Sequence, residues 1–393
     1  MTARANIPGA DNFVLQESIT AYSDEAYTNA RKLSGTGIVG DNPNIDTSTE
    51  TFIGQVRWFK PMNPTINVAS LTDATRGQKT TYGSDFLNYV KTVRTHGSGK
   101  VNLQSVVTQQ DGLAKIGRDF AETRAQDEHN AILAVLKGVA LSEALNGAAS
   151  GSGQSGLGGQ TFDNDPTSRR YGFYVDLGSA KPVVDATAAV QGASRAEGFL
   201  RAFGMAYKDY EPEYAYLVTS PEVMASLRSA NLVDETKVSE ASINFETIFG
   251  GKFRIIQTRA SQGFSAADLT KLNTGAGVDI VGTKTSFIVL PGSIAMKDLT
   301  VDEPTEIFRD GGAYNGGGST EIWHRWGYVL APAGYNWAGS QEEFPSDAKY
   351  QGVLESGTPG NLAGVATIGN ASGVWTRKSF SALTLGILPV FHS

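Results

Sequence analysis

The chain has 393 residues, 40% hydrophobic and 19% charged, enough for two or three compact units and too apolar to be broadly disordered. A formal net charge of −7, with basic clusters no longer than Arg169-Arg170, argues against a tight grip on nucleic acid, which needs grouped Lys and Arg. The absence of cysteine excludes disulfides, thiolate nucleophiles and cysteine-based zinc sites. The polar start Met1–Ala10, and no run near the ~20 apolar residues of a membrane span, predict a soluble chain made in the cytoplasm.

Residues 1–50 are weakly patterned. A short helix is predicted at Gln16–Arg31, and the following GTGIVGDNPNIDTSTE is too polar to hold a core and reads as an extended arm. In residues 51–107, TFIGQVRWFKP and TINVASL have strand character, with the polar TDATRGQKTTYGSD after them. The segment reads as a two-stranded projection or an irregular extended loop, marginal by itself. Residues 111–146 form the clearest helix. Leu113, Ile116 and Phe120 recur at helical spacing, as do Ile132, Val135, Leu136 and Val139. About 35 residues at 1.5 Å each would span roughly 50 Å. Gly147 and the AASGSGQSGLGG after it are expected to end this helix.

A Gly- and Asp-rich loop and the strand-like YGFYVDL follow, then a helix over Val184–Tyr207 with Phe199, Phe203 and Tyr207 on one face. A strand at Ala215–Ser220 leads into a helix at Pro221–Asn231, with Ser220 as N-cap and Pro221 in the first turn. Strands are predicted at Lys252–Thr258 and Thr285–Leu290. LTVDEPTEIFRD and STEIWHRWGYVLAP read as a hairpin around the turn GGAYNGGG. Residues 341–370 look loop-like, and VWTRKSFSALTLGILPVF closes the chain as a strand or strand pair.

No motif carries chemistry. GSGQSG (Gly151–Gly156) matches the dinucleotide fingerprint, but it follows a helix and opens a loop, the reverse of the required context. GSGKV (Gly97–Val101) and FGGKF (Phe249–Phe253) lack the remainder of a phosphate loop. His96, His129, His324 and His392 show no metal-ligand spacing. Asp127, Glu128 and His129 splay around a helix and read as a solvated or subunit-facing surface. His324 reads as a packing or interface residue. Glu303, Glu306, Arg309 and Asp310 suggest a salt-bridge network without a cleft. Trp323, Trp326, Tyr328, Tyr335 and Trp337, interleaved with only Arg325, suggest core or subunit-contact aromatics. Catalytic, cofactor-binding and metal-binding residues are therefore all expected to be absent.

Two segments resemble the major capsid proteins of tailed bacteriophages. RAQDEHNAILAVLKGV (Arg124–Val139) is similar to the long spine helix of that family. VDEPTEIFRDGGAYNGGGSTEIWHRWGYVLAPAGYNW (Val301–Trp337) is similar to its paired strands, with Ala331-Pro332-Ala333-Gly334 where most relatives have His-Pro before the glycine. AYLVTSPEVMASLRSANLV, FETIFGGKFRIIQT and VWTRKSF are weaker echoes in the same order. The resemblance implies an α+β fold, shared with the herpesvirus capsid floor and encapsulins. In that fold residues 1–50 would be an N-terminal arm and 51–107 an extended loop lying over a neighbouring subunit. Residues 108–194 would hold the spine helix and the first part of a peripheral domain, 195–298 an axial domain, and 299–393 the return strands of the peripheral domain with a C-terminal strand that rejoins it.

The function implied is structural and non-enzymatic: hexamers and pentamers of one chain forming an icosahedral shell around double-stranded DNA, which is contacted weakly and non-specifically. Portal, scaffolding and decoration proteins are the further partners implied, with no membrane and no cofactor; the place is the virion, after assembly in the host cytoplasm. An encapsulin-like nanocompartment is the alternative, and an α/β enzyme a more distant one. On this reading Val56, Trp58, Phe59 and Ile66 need a partner surface, and deleting residues 54–100 should leave a soluble subunit that forms no shell.

Overall fold

The computed structural model describes residues 33–41, 44–47, 51–59, 84–101, 112–149, 173–176, 197–207, 212–229, 232–234, 238–240, 243–258, 284–339, 344–351, 374–378 and 385–392. A short 3₁₀ turn (Leu33–Gly35) leads into β1 (Val39–Gly40), followed by β2 (Ile53–Phe59), β3 (Ser84–Val101), the long helix α1 (Gly112–Ala149), β4 (Val175–Asp176) and α2 (Glu197–Ala206). Next come β5 (Ala215–Thr219), α3 (Pro221–Ser229), β6 (Val238–Glu240), β7 (Ile243–Ile248), β8 (Phe253–Gln257) and β9 (Lys284–Val289). The chain closes through β10 (Ile294–Leu299), β11 (Thr305–Asp310), β12 (Ser319–Pro332), β13 (Tyr335–Trp337), α4 (Asp347–Tyr350), β14 (Trp375–Arg377) and β15 (Ile387–His392). The class is α+β, as the resemblance implied.

Two large sheets carry the fold. The first has the order β1-β10-β12-β3-β2, with β11 also paired to β12. Strand β12 is its backbone. One edge pairs β3 without a break from Ser319↔Val101 to Leu330↔Val90. The other edge is shared in sequence, β11 running along Ser319–His324 and β10 along Gly327–Pro332. Residues 320, 322, 324, 326 and 328 are buried on one face, while 319, 321, 323 and 325 are more open, the alternation a one-side-covered antiparallel strand requires. The second sheet has the order β4-β15-β9-β5-β8-β7-β6. Its central β5 reads AYLVT and is buried throughout, so it shows no alternation. Ser220 caps α3 by accepting from the Val223 amide at 3.4 Å.

Helix α1 has 38 residues, about 57 Å at 1.5 Å per residue. Its two halves have different surroundings. From Ala131 to Leu136 every residue is buried, so this stretch is enclosed on all sides by the main core, which also draws on β5, β9, β12 and β15. In the first half Ile116 and Phe120 form a small separate apolar cluster with Ile307 and Ile322 of the sheet. Lys115, Arg118, Asp119 and Glu122 are exposed there.

Several expectations change. The predicted limb of residues 51–107 divides: β3 from Val90 onward is paired along its length to β12 of the first sheet, not part of a projection, and Gly97–Val101 lies in it. Deleting residues 54–100 would therefore remove that strand and unfold the sheet. The C-terminal strand β15 pairs β9 and β4 in the second sheet instead of rejoining the strands of 300–340, because its apolar ILPVF run is buried at every position and fits an interior place there. Conversely β10 belongs to the first sheet, so the crossing between sheets falls at the turn before Ile294. Helix α1 runs past Gly147 to Ala149. Of the helix predicted over Val184–Tyr207, the described part is α2. The predicted helix Gln16–Arg31, the strand TINVASL and the Gly151–Gly156 loop lie outside the described residues.

Candidate assembly surface

Beyond Val90, strand β3 leaves β12 behind. Residues 84–89 pair only with β2, from Phe59↔Ser84 to Gly54↔Tyr89, and make a two-stranded ribbon that runs off the sheet. Its root is tied down on one face. Val56 and Tyr89 are buried with Ile45 and Val329, and the Tyr89 ring lies over Gly54, where a Cβ would overlap it. The Tyr89 hydroxyl donates to the Asp46 carbonyl at 2.6 Å, and Lys91 and Lys297 donate to the carbonyls of Thr47 and Ile45. Residues 45–47 thus cross the back of the sheet as a strap. Val56 consequently needs no partner surface, contrary to expectation, because its own chain covers it; the side chains of Trp58 and Phe59, and residue Ile66, lie outside the described residues.

The other ribbon face is open. Arg57 is exposed and its guanidinium stands 5.2 Å from the ring centre of Phe86, which is 44% exposed. A second open surface is the outer face of β11, β12 and the end of β3. Trp323 is 40% exposed there, and its ring covers Gly97, directly opposite in the register. Glu306, Phe308 and Asp310 share this face with Glu321 and Arg325. Arg325 pairs with Glu306 at 2.6 Å, so Arg325 takes the place expected of Arg309 as its cation. The hairpin ends in a tight turn. The Gly317 amide donates to the Tyr314 carbonyl around Asn315 and Gly316, both at positive φ of 55° and 87°, the backbone of a type I′ turn. Tyr314 itself sits at φ 55° and is 67% exposed.

Polar side chains expected at a surface instead bind the inner face. Asp127 accepts from Trp326 Nε1 at 3.0 Å and Tyr328 OH at 2.9 Å, and lies 3.5 Å from Arg94. Arg94 also holds Asp347 of α4 at 2.9 Å. Burial lifts the Asp347 carboxyl above its ordinary range, more than Arg94 lowers it. Glu128 is fully buried against Arg124, and His129 is buried too, so these two are not the solvated surface expected of them. No group of three or more His, Cys, Asp or Glu able to hold a metal occurs among the described residues.

His324 is 3% exposed, with its Nδ1 3.2 Å from Thr305 Oγ1. It lies between Phe120 and Trp326, at ring-centre distances of 5.4 and 5.7 Å. Burial, then the charge of Arg124 and the nearness of His96, pulls its imidazole down to about 4. The aromatic group read as one cluster is three: Trp326 and Tyr328 face α1, Trp323 faces outward, and Tyr335 and Trp337 belong to the small β13–β14 sheet with Trp375. Sequence reasoning missed the buried Glu143. This residue accepts from the Phe173 amide at 2.6 Å and pairs with Arg377 at 3.4 Å, tying α1 to β14. Its only signal was a lone acid in an otherwise apolar helix half.

No protein-family model and no curated protein matches the chain. Among solved structures it is similar to the capsid of Ralstonia phage GP4, at 11% identity and a TM-score of 0.46 over 78% of this chain and 87% of that one. It is also similar to the head structure of Helicobacter pylori bacteriophage KHP40, at 8% identity and 0.43 over 91% and 89%. The capsid of cyanophage P-SCSP1u is similar at 10% identity and 0.43 over 75% and 86%. No helix among the described residues is long and apolar enough to cross a membrane.

Proposed function

We propose that this chain is a structural subunit that closes into an icosahedral shell around phage double-stranded DNA, as hexamers and pentamers of one protein. The observation that carries this reading is the β2–β3 ribbon. It runs off the edge of its sheet, is anchored on one face by its own chain, and presents Arg57 and Phe86 on the other. A two-stranded ribbon is marginal without a surface to lie on. A second copy of the chain offers one: the outer face of the β11–β12 hairpin, where Trp323 and Phe308 lie among Glu306, Glu321 and Asp310. Such a contact joins different patches on the two copies, so repetition continues beyond a dimer and closes a ring where the rotation between copies divides a full turn.

In this reading the first sheet with α1 is the peripheral unit, the second sheet the axial unit, residues 1–50 an arm and the ribbon the extended loop. Phage portal, scaffolding and decoration proteins would be its further partners, and the virion its place. The net charge of −7 suits a wall that contacts packaged DNA only weakly. Negative-stain electron microscopy of the purified full chain tests the proposal. Closed, even-sized particles or rings are expected, and a dispersed monomer at high concentration contradicts it.

A further inference from the structure

His96 and His324 stand directly opposite each other on neighbouring strands, paired in the β3–β12 register. Both side chains are on the face covered by α1, and both meet the same residue of that helix. Phe120 stacks on His324 at 5.4 Å and 12°, and takes His96 edge-on at 5.5 Å and 88°. Directly opposed residues hold their Cβ atoms only about 5 Å apart. The apolar attachment they complete is thin: among the described residues Ile116, Phe120, Ile307 and Ile322 make up the cluster beneath this half of the helix.

Charge around the pair is one-sided. From α1, Arg124 faces His324, and its own partners are Glu128 and, on β10, Asp298 at 3.4 Å. Two residues along β3, Arg94 is held by Asp127 and by Asp347 of α4. The remaining oxygen of Asp127 serves Trp326 and Tyr328. From β11, Thr305 offers a hydroxyl, and the Pro304 carbonyl alone favours a charged imidazole. The carboxylates in reach are thus already engaged, and an added proton would sit beside a second histidine and an arginine.

We infer that His324, set opposite His96, is a protonation switch: neutral, it lets Phe120 dock and holds the N-terminal half of α1 on the β11–β12 hairpin; charged, it releases that half while the core half stays in place. The release is local because the apolar residues from Ala131 to Ala144 belong to the main core, whereas Phe120 belongs to the separate cluster. The sign follows from linkage. An opened helix exposes a His324 that takes up its proton near the ordinary value of about 6.5, whereas the closed state resists uptake, so opening gains up to about tenfold per pH unit below that value. This inference rests on the fold and holds whether or not the chain assembles.

Hydrogen exchange of the full chain, corrected for intrinsic rates, tests it between about pH 7.5 and about pH 5. Peptides covering 112–126 and 305–324 should lose protection about tenfold or more over this range, while those covering 131–144 and 215–219 do not change. His324→Gln, which cannot charge, should flatten the response. Equal protection at both pH values, or an undiminished loss in His324→Gln, overturns the switch. Should His324→Gln fail to fold by circular dichroism, the ring signals of the four histidines in the wild-type chain decide. A His324 signal that titrates near the ordinary value, with no change in the amides of 112–126, also overturns it.

Discussion

The carboxylate of Asp127 accepts the phenol hydrogen of Tyr328 across 2.9 Å, fastening the middle of a 38-residue helix to the central strand of a sheet. The same oxygen takes the indole of Trp326. Asp127→Ala would orphan two donors that are largely out of water and remove one of the two carboxylates, with Asp347, that pair with Arg94. A loss of about 2–3 kcal/mol is expected, read as a lower urea midpoint. Asp127→Asn keeps an acceptor and should lose less. Equal midpoints for wild type and Asp127→Ala would contradict the anchor.

Gly138 and Gly204 are both helical glycines with opposite expectations. A Cβ at Gly138 would overlap the Tyr350 carbonyl oxygen and crowd the Trp375 indole, while one at Gly204 meets nothing within 4 Å. Gly138→Ala should therefore destabilise by about 1–3 kcal/mol and alter tryptophan fluorescence. Gly204→Ala should stabilise by up to about 1 kcal/mol through helix propensity. Thermal melts of the two variants side by side check the signs.

Alkaline pH should unfold the chain cooperatively. Burial raises the phenols of Tyr207, Tyr328, Tyr335 and Tyr350, so the fold holds their protons more tightly than the unfolded chain does. The stability this contributes is complete below about pH 10 and is lost as pH climbs above the ordinary tyrosine value. Absorbance of ionised tyrosine followed against pH should show these groups titrating together with loss of circular dichroism. Smooth titration of all tyrosines in a chain that stays folded would count against their burial.

Much of this was legible in the residues. Strand β12 runs from Ser319 to Pro332, the bounds its alternation and glycine turn predicted, and Pro221 with Ser220 placed the start of α3. Strand β3 was not legible, because its burial comes from partners far along the chain. Its run Tyr89-Val90-Lys91-Thr92 is buried with no alternation, the Thr92 hydroxyl bonding Tyr350 and the Lys91 ammonium bonding Thr47. Asp127, Glu128 and His129 looked like solvent-facing polarity for the same reason. Their partners Trp326 and Tyr328 lie on β12 and Arg94 on β3, with Arg124 one turn away on the helix, and only the folded sheet brings the first three to the helix.

The outer-face contact between copies has its own signature. Arg57→Glu should block assembly while leaving a folded subunit, since Arg57 is exposed and stands over the exposed ring of Phe86. Adding Glu306→Arg and Glu321→Arg to that variant should restore particles, detected by sedimentation, if Arg57 meets this face of a neighbour. Restoration failing while the triple variant remains folded would place the ribbon elsewhere.

The ribbon itself is the decisive element. Replacing residues 58–85 with Asn-Gly keeps the Arg57↔Phe86 pair and closes it with a two-residue turn, so the first sheet and its β3 remain. Electron microscopy of this shortened chain beside the full one should show closed particles only for the full chain, with the shortened chain folded and dispersed. Particles of normal size and closure from the shortened chain would contradict the account.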